Sequence, residues 1–153
     1  MLFDADALVV VRKPAGGPRV MTPHPGEAGR LLDVPTKSIT AARFDAARKL
    51  SQTGAVSVLK GPYSIVSHPE GNLSVNPTNS PLLASGGTGD VLAGLVGGLM
   101  ARGLSPWDAS RLGVWAHGRA AEALQSAGVR DATASDVAYQ LRHAASGRDK
   151  SLT

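Results

Sequence analysis

The chain has 153 residues, of which 42% are hydrophobic, enough to bury one modest core and too many for a disordered segment. It contains no Cys, which excludes disulfides, thiolate zinc sites and cysteine nucleophiles. The net charge of +4 is accompanied by an aromatic content of only 4%, too low for the stacking platforms of a nucleic-acid binder, so the basic balance reads as a solvated surface that also favours anionic small molecules.

No basic segment precedes an apolar stretch at the start, and the longest apolar run, Val91 to Ala101, is about half a membrane span. A cytoplasmic protein with neither membrane nor nucleic-acid partner is expected. Leu8 to Val11 is a β-branched apolar run that predicts a strand buried on both faces of a parallel sheet. Arg19 to Met21 predicts a second strand, ended by Thr22-Pro23-His24-Pro25-Gly26, where two prolines fix the turn. Glu27 to Leu32 follows as a short helix. Thr40 reads as the N-cap of a helix over Ala41 to Gln52, closed by Gly54, with Phe44, Ala47 and Leu50 as its buried stripe. Ala55 to Leu59 is strand-like, Tyr63 to Ser67 and Asn72 to Val75 form a hairpin, and Asn76 to Ser85 is a loop. Three helices are expected after it: Thr88 to Ala101, then Ser105 as N-cap with Pro106 at the first helical position and a run to about Ala127, then about Ala134 to Ala145 capped by Thr133 or Ser135. The polar end of the chain, 147–153, is expected to be disordered.

The strand and helix order argues for an α/β fold with a mostly parallel sheet. A buried-type strand so close to the start lacks a neighbour on one side, so a further layer is expected from upstream sequence or from another chain.

Three motifs can carry chemistry. Ser85-Gly86-Gly87-Thr88-Gly89-Asp90 opens a helix, and glycine-rich backbone there exposes several N–H groups at the positive end of the helix dipole, a cradle for phosphate or a developing oxyanion. Asp90, in the first turn, can take the proton of an acceptor hydroxyl as phosphate arrives. The same pattern is also met as a glycine turn with an acidic first turn, and no Gly-Lys-Ser/Thr follows to make a Walker loop. Gly94, Gly97 and Gly98 inside this helix each cost about 1 kcal/mol against Ala, which predicts close packing of its backbone. Thr22-Pro23-His24-Pro25-Gly26-Glu27 sits at a predicted strand end, where α/β ligand sites lie; His24 can bond a substrate and Glu27 can orient a metal-bound water. Lys60-Gly61-Pro62-Tyr63-Ser64 follows an apolar strand, with Lys60 either facing a ligand or closing a solvated edge. His117, on an apolar helix, reads as a packed, hydrogen-bonded histidine.

Taken in order, Asp4 to Leu8, Thr22 to Glu27, Leu59 to Ser64, Ala84 to Gly94 and Ala116-His117-Gly118 resemble the ADP/ATP-dependent NAD(P)H-hydrate dehydratase family over nearly the whole chain. The resemblance implies a ribokinase-like three-layer α/β/α fold, with residues 1–146 as the C-terminal part of that domain and its N-terminal half missing. It implies transfer of a nucleotide's terminal phosphate to the ring hydroxyl of the S-form of NAD(P)H hydrate, then elimination of phosphate, with Mg²⁺ as cofactor and ADP or ATP as co-substrate. By motif position Asp90 is then the base, His24 and Asp90 contact the hydrated cofactor, and Lys60, Gly61, Pro62, Tyr63, Ser64 and Gly89 hold the nucleotide. Gly86, Gly87, Thr88 and Gly89 form the anion hole, and Glu27 acts on magnesium through water. The resemblance departs at Thr78-Asn79-Ser80-Pro81-Leu82, where the family usually reads Thr-Gly-Asn-Pro-Gly, and at Ser64, where Thr is commoner. Two other readings stand beside it: a ribokinase-like kinase for a vitamin-precursor alcohol, and a non-catalytic nucleotide-binding fragment. A homo-oligomer, or a partner chain supplying the missing half, is expected.

Overall fold

The computed structural model describes residues 1–12 and 17–145; the tail expected over 147–153 lies outside them. A five-stranded sheet runs β1 (Leu2–Phe3), β2 (Val20–Met21), β3 (Val56–Leu59), β4 (Ile65–Ser67) and β5 (Leu73–Val75), in that spatial order. The first three strands are parallel, with Phe3 opposite Met21 and Met21 opposite Ser57, and β4 and β5 turn back as antiparallel strands of a hairpin.

Alternation along these strands sorts the core onto two faces, as the two-residue period of a strand requires. Met21, Leu59 and Ile65 pack with Ala28 of α1 (Pro25–Leu32), Ile39 of α2 (Thr36–Ala41) and Ala46, Ala47 and Leu50 of α3 (Arg43–Ser51). Val20, Val56, Val58 and Val66 pack on the other face with Leu92 and Val96 of α4 (Thr88–Ala101) and Ala109 and Val114 of α5 (Pro106–Ser126). The chain is therefore a three-layer α/β/α fold. A last helix, α6 (Ala134–Ala145), lies against α5 and is capped by Thr133, whose hydroxyl accepts from Asp136 N at 3.2 Å.

Several expectations are corrected. Leu8 to Val11 is not a strand; Ala5–Arg12 winds as a 3₁₀ helix in which Leu8 is buried and Val9 is 70% exposed. The β-branched run looks like a buried strand, but β1 lies upstream of it, and the run crosses over towards β2. The helix expected over Ala41 to Gln52 is broken at Ala42, whose φ of −135° and ψ of 56° end α2 and begin α3. Thr40 is inside α2, its hydroxyl donating to Lys37 O at 3.0 Å, so it caps nothing. Phe44 is 52% exposed, and Ala46 takes its place in the stripe. Strand β4 begins at Ile65 because Tyr63 adopts a left-handed φ of 51°. The loop after β5 contains a 3₁₀ turn, Pro81–Ala84. Finally, a Cβ built on Gly94, Gly97 or Gly98 meets nothing within 4 Å, so close packing does not explain these glycines; they line a face of α4 that nothing described covers.

Candidate functional site

The three parallel strands end side by side, and each is followed by a residue of one cluster. Asp4 follows β1, His24 lies three residues past β2 and Lys60 follows β3. Backbone bonds tie these ends together, Thr22 N to Phe3 O at 3.1 Å and Lys60 N to Pro23 O at 2.9 Å. The carboxyl ends of parallel strands are where α/β folds place ligands.

The His24 turn is built by its own sequence. His24 is the N-cap of α1: its Nδ1 accepts from Gly26 N at 3.0 Å and Glu27 N at 3.3 Å, while Glu27 Oε2 accepts from His24 N at 2.7 Å. This is a reciprocal capping box with histidine in the position usual for Ser or Thr. Pro25, at the first helical position, is preorganised for the helix and needs no N–H there. Because Nδ1 accepts, Nε2 carries the ring proton; it lies 3.5 Å from Glu27 Oε1 on a side chain that is half exposed. The cap thus fixes both the ring's orientation and its tautomer. A side chain on Gly26 would meet His24 Cε1 at 2.9 Å.

Lys60 joins the motifs. Its ammonium lies 2.9 Å from Asp4 Oδ1 and 3.9 Å from Glu27 Oε2, with all three side chains mostly buried. A Cβ built on Gly89 would come within 3.2 Å of Lys60 Nζ, so the absence of a side chain at Gly89 is what lets the ammonium reach the start of α4. Asp4 received no role from the sequence beyond its place in a matching stretch; only the strand order shows that it faces Lys60 across 56 residues of chain.

At the start of α4, Gly87 is the N-cap with a left-handed φ of 82° that favours glycine. Thr88 is buried and its hydroxyl donates to Leu83 O at 2.7 Å and Ser85 O at 2.8 Å, locking the loop beneath the helix. The N–H groups of the first helical turn have no intrahelical partners and bring partial positive charge. Asp90 stands exposed in that turn.

These parts line one cavity of about 500 Å³, bounded among others by Asp4, His24, Glu27, Lys60, Thr88 and Asp90. Of the residues expected at the site, Gly61, Pro62, Ser64, Gly87 and Gly89 also line it, whereas Tyr63 and Gly86 do not. Tyr63 is 51% exposed.

The cavity wall holds two residues whose signal the sequence gave only faintly. Asn76 Nδ2 donates to Thr78 Oγ1 at 2.6 Å and Val114 O at 3.1 Å, while its Oδ1 is buried without a partner. His117 is 5% exposed and shares a hydrogen bond with the Thr88 backbone, as expected of a packed, hydrogen-bonded histidine, while its Nε2 is buried without a partner. Burial pushes its pKa down to about 4, helped by the Lys60 ammonium and opposed by a backbone hydrogen bond with Thr88. It therefore stands neutral in the wall at ordinary pH.

The sequence model of a family described as NAD(P)H-hydrate dehydratase matches residues 1–142. The chain belongs to the NAD(P)H-hydrate dehydratase family. It is 43% identical over 147 residues to the bifunctional NAD(P)H-hydrate repair enzyme Nnr of Escherichia coli, covering 93% of this chain and 28% of that protein. It is 39% identical over 139 residues to the ADP-dependent (S)-NAD(P)H-hydrate dehydratase of Neisseria meningitidis, covering 84% of this chain and 47% of that one. The crystal structure of the Bacillus subtilis ADP/ATP-dependent NAD(P)H-hydrate dehydratase, co-crystallized with ATP/Mg²⁺, superimposes with a TM-score of 0.87 at 31% identity, over 95% of this chain and 53% of that chain. A ribokinase-like superfamily protein of Enterococcus faecalis superimposes with a TM-score of 0.77 at 25% identity, over 95% and 52% of the two chains. The ribokinase-like fold is thus established, and the chain spans about half or less of the length of these relatives. Among the described residues no helix is long and apolar enough to cross a membrane.

Proposed function

We propose that the chain carries the catalytic part of a nucleotide-dependent dehydratase that restores NAD(P)H from the S-form of its hydrate. The observation that supports this most is the convergence of Lys60, the first turn of α4 and Asp90 on one cavity, with Lys60 packed against Gly89. A cation and unpaired helix N–H groups stabilise a transferring phosphoryl group, and the exposed carboxylate beside them can take a hydroxyl proton.

In this reading Asp90 accepts the proton of the ring hydroxyl as that oxygen attacks the terminal phosphorus of ADP or ATP. The bond from phosphorus to the nucleotide breaks, and its electron pair stays on the departing nucleotide. The ring C–O bond then breaks with its pair on phosphate, the adjacent ring carbon gives up a proton, and the ring double bond of NAD(P)H returns. His24, held by its cap, offers Nε2–H to the hydrated cofactor. Lys60, Gly61, Pro62, Ser64 and Gly89 hold the nucleotide, and Gly87 to Gly89 hold the anion.

Magnesium fits the same corner. Asp4 and Glu27 place two carboxylates around one ammonium, leaving net negative charge on oxygen donors, and hard oxygen donors suit Mg²⁺. Among the described residues no group of three or more acidic, His or Cys side chains could hold a metal by itself. In this reading the ion is carried largely by water and nucleotide phosphate, with Glu27 acting through water and Asp4 beside it. When bound, it would neutralise charge on the phosphates.

The test is a repair assay on the 153-residue chain with NADH hydrate and ADP, ATP or neither, following reduced-nicotinamide absorbance and released phosphate. Nucleotide-dependent recovery that disappears in Asp90→Asn is expected. A stable phosphorylated alcohol from another substrate, with no recovery of NADH, would replace this reading with that of a ribokinase-like kinase.

A further inference from the structure

The loop from Gly61 to Ser64 has an unusual backbone. Gly61 has a φ of 136°, and Tyr63, a bulky residue, has a left-handed φ of 51°. Such conformations persist only where the surroundings over-determine them. From inside the loop come Ser64 Oγ to Gly61 O at 3.1 Å and Asn76 N to Ser64 O at 2.9 Å. The remaining restraint comes from α3. Arg43, its first residue, donates from Nη1 to Pro62 O, and its Nη2 lies 3.2 Å from where a Cβ on Gly61 would stand. That Nη2 is buried and has no hydrogen-bond acceptor.

Arg43 is also an uncompensated cation. The one carboxylate on its own helix, Asp45, pairs with Arg48 at 3.5 Å, and Arg43 itself is bonded to the neutral Pro62 carbonyl, with no ion pair to it among the described residues. Burial lowers its pKa from the ordinary guanidinium value, though a guanidinium stays charged at any ordinary pH. Lys60, by contrast, is already neutralised by Asp4 and Glu27. The guanidinium is only partly buried, but its Nη2 is shielded from water and has no acceptor, and a shielded cationic edge with no acidic partner is costly unless something nearby uses its field. The adjacent group is a loop whose other side lines the cavity through Gly61, Pro62 and Ser64.

We propose that Arg43 is the positioning residue of this loop: its planar fork braces Gly61–Ser64 from behind in the shape that receives a nucleotide, and its charge favours the phosphate in front. It touches no ligand itself. This rests on the nucleotide reading of the loop given above, and it assigns a role to a residue outside the cavity lining.

The test uses the whole 153-residue chain, wild type, Arg43→Ala and Arg43→Lys, with two readouts. Hydrogen exchange of the Gly61, Tyr63 and Ser64 amides reports the brace, and calorimetric titration with ADP reports the ligand. In Arg43→Ala those three amides are expected to exchange about tenfold faster while Val56–Leu59 and α4 keep wild-type rates, and the ADP dissociation constant is expected to rise about tenfold. Arg43→Lys keeps the charge but not the fork, so it recovers part of the affinity, most clearly at low salt, and little of the loop protection. Wild-type exchange at the loop in Arg43→Ala, or faster exchange spread over the whole sheet, overturns the proposal. Unchanged ADP affinity beside a loosened loop overturns the link to the nucleotide. A wild-type chain that binds no ADP, with a loosened loop in the variant, retires the nucleotide reading and leaves the brace standing.

Discussion

At the scale of single residues, the site combines groups whose identity the sequence announced with groups it concealed. Asp90 and Lys60 were legible as candidates, because glycine-rich turns and strand ends signal approach to a ligand, though an acidic helix start and a solvated edge were open readings beside them. His24 was legible as a candidate, but its work as a helix cap was not, since histidine rarely fills that position and the bond depends on ring orientation. Arg43 and Asp4 were silent: an Arg at a helix start and an Asp near a strand end are ordinary solvated residues until the fold places their partners. Asp90→Asn is expected to lower turnover by about 10²-fold to 10⁴-fold, measured as phosphate release, without loss of ADP binding. His117 gives a pH prediction. Its folded pKa of about 4 lies below its unfolded value, so between about pH 6.5 and 4 the unfolded chain binds a proton that the native chain does not. Stability is therefore fully present above pH 6.5 and falls as the pH drops towards 4, by about 3 kcal/mol at most. Urea unfolding of the wild type and His117→Gln at pH 7 and 4.5 checks this, and the variant should lose that part of the pH dependence.

At the scale of elements, α4 and α5 agreed with their sequence signals closely, because glycine turns and the Ser105-Pro106 start act locally. The 3₁₀ helix at Ala5–Arg12 and the break at Ala42 did not, because no Gly or Pro marks either and tertiary packing decides both. The glycines of α5 and α4 behave oppositely. At Gly118 a Cβ would stand 1.6 Å from Thr78 Oγ1, so the loop after β5 lies directly on the helix backbone. Gly118→Ala is expected to cost about 3 kcal/mol in chemical unfolding. Gly94 and Gly98 face open space, so Ala there should stabilise the isolated chain by about 1 kcal/mol each. If these substitutions instead lower the mass of the species in solution, the uncovered face of α4 is a contact surface.

At the scale of the whole molecule, layer order was legible from the alternation of strand-like and helix-like runs, and the two faces of the core follow from the alternation of Val20 with Met21 and of Val58 with Leu59. What lies beside β1 was not legible. Among the described residues that strand is an edge of the sheet, and α4, packed against it, leaves its glycine face uncovered. Unpaired edges beside apolar helix faces recruit further chain. Light scattering on the purified 153-residue chain is expected to show species larger than the monomer, and Gly98→Glu, on the uncovered face of α4, to reduce them. The ion pair between Lys60 and Asp4 has a consequence of its own. It closes only when β1, β2 and β3 stand in register, and a slip of one residue turns a strand's side chains to the opposite face. A wrongly paired chain would leave Lys60 without its carboxylates and the helix start without its cation. Errors in strand register therefore leave the candidate site unassembled, so the ion pair doubles as an assembly check.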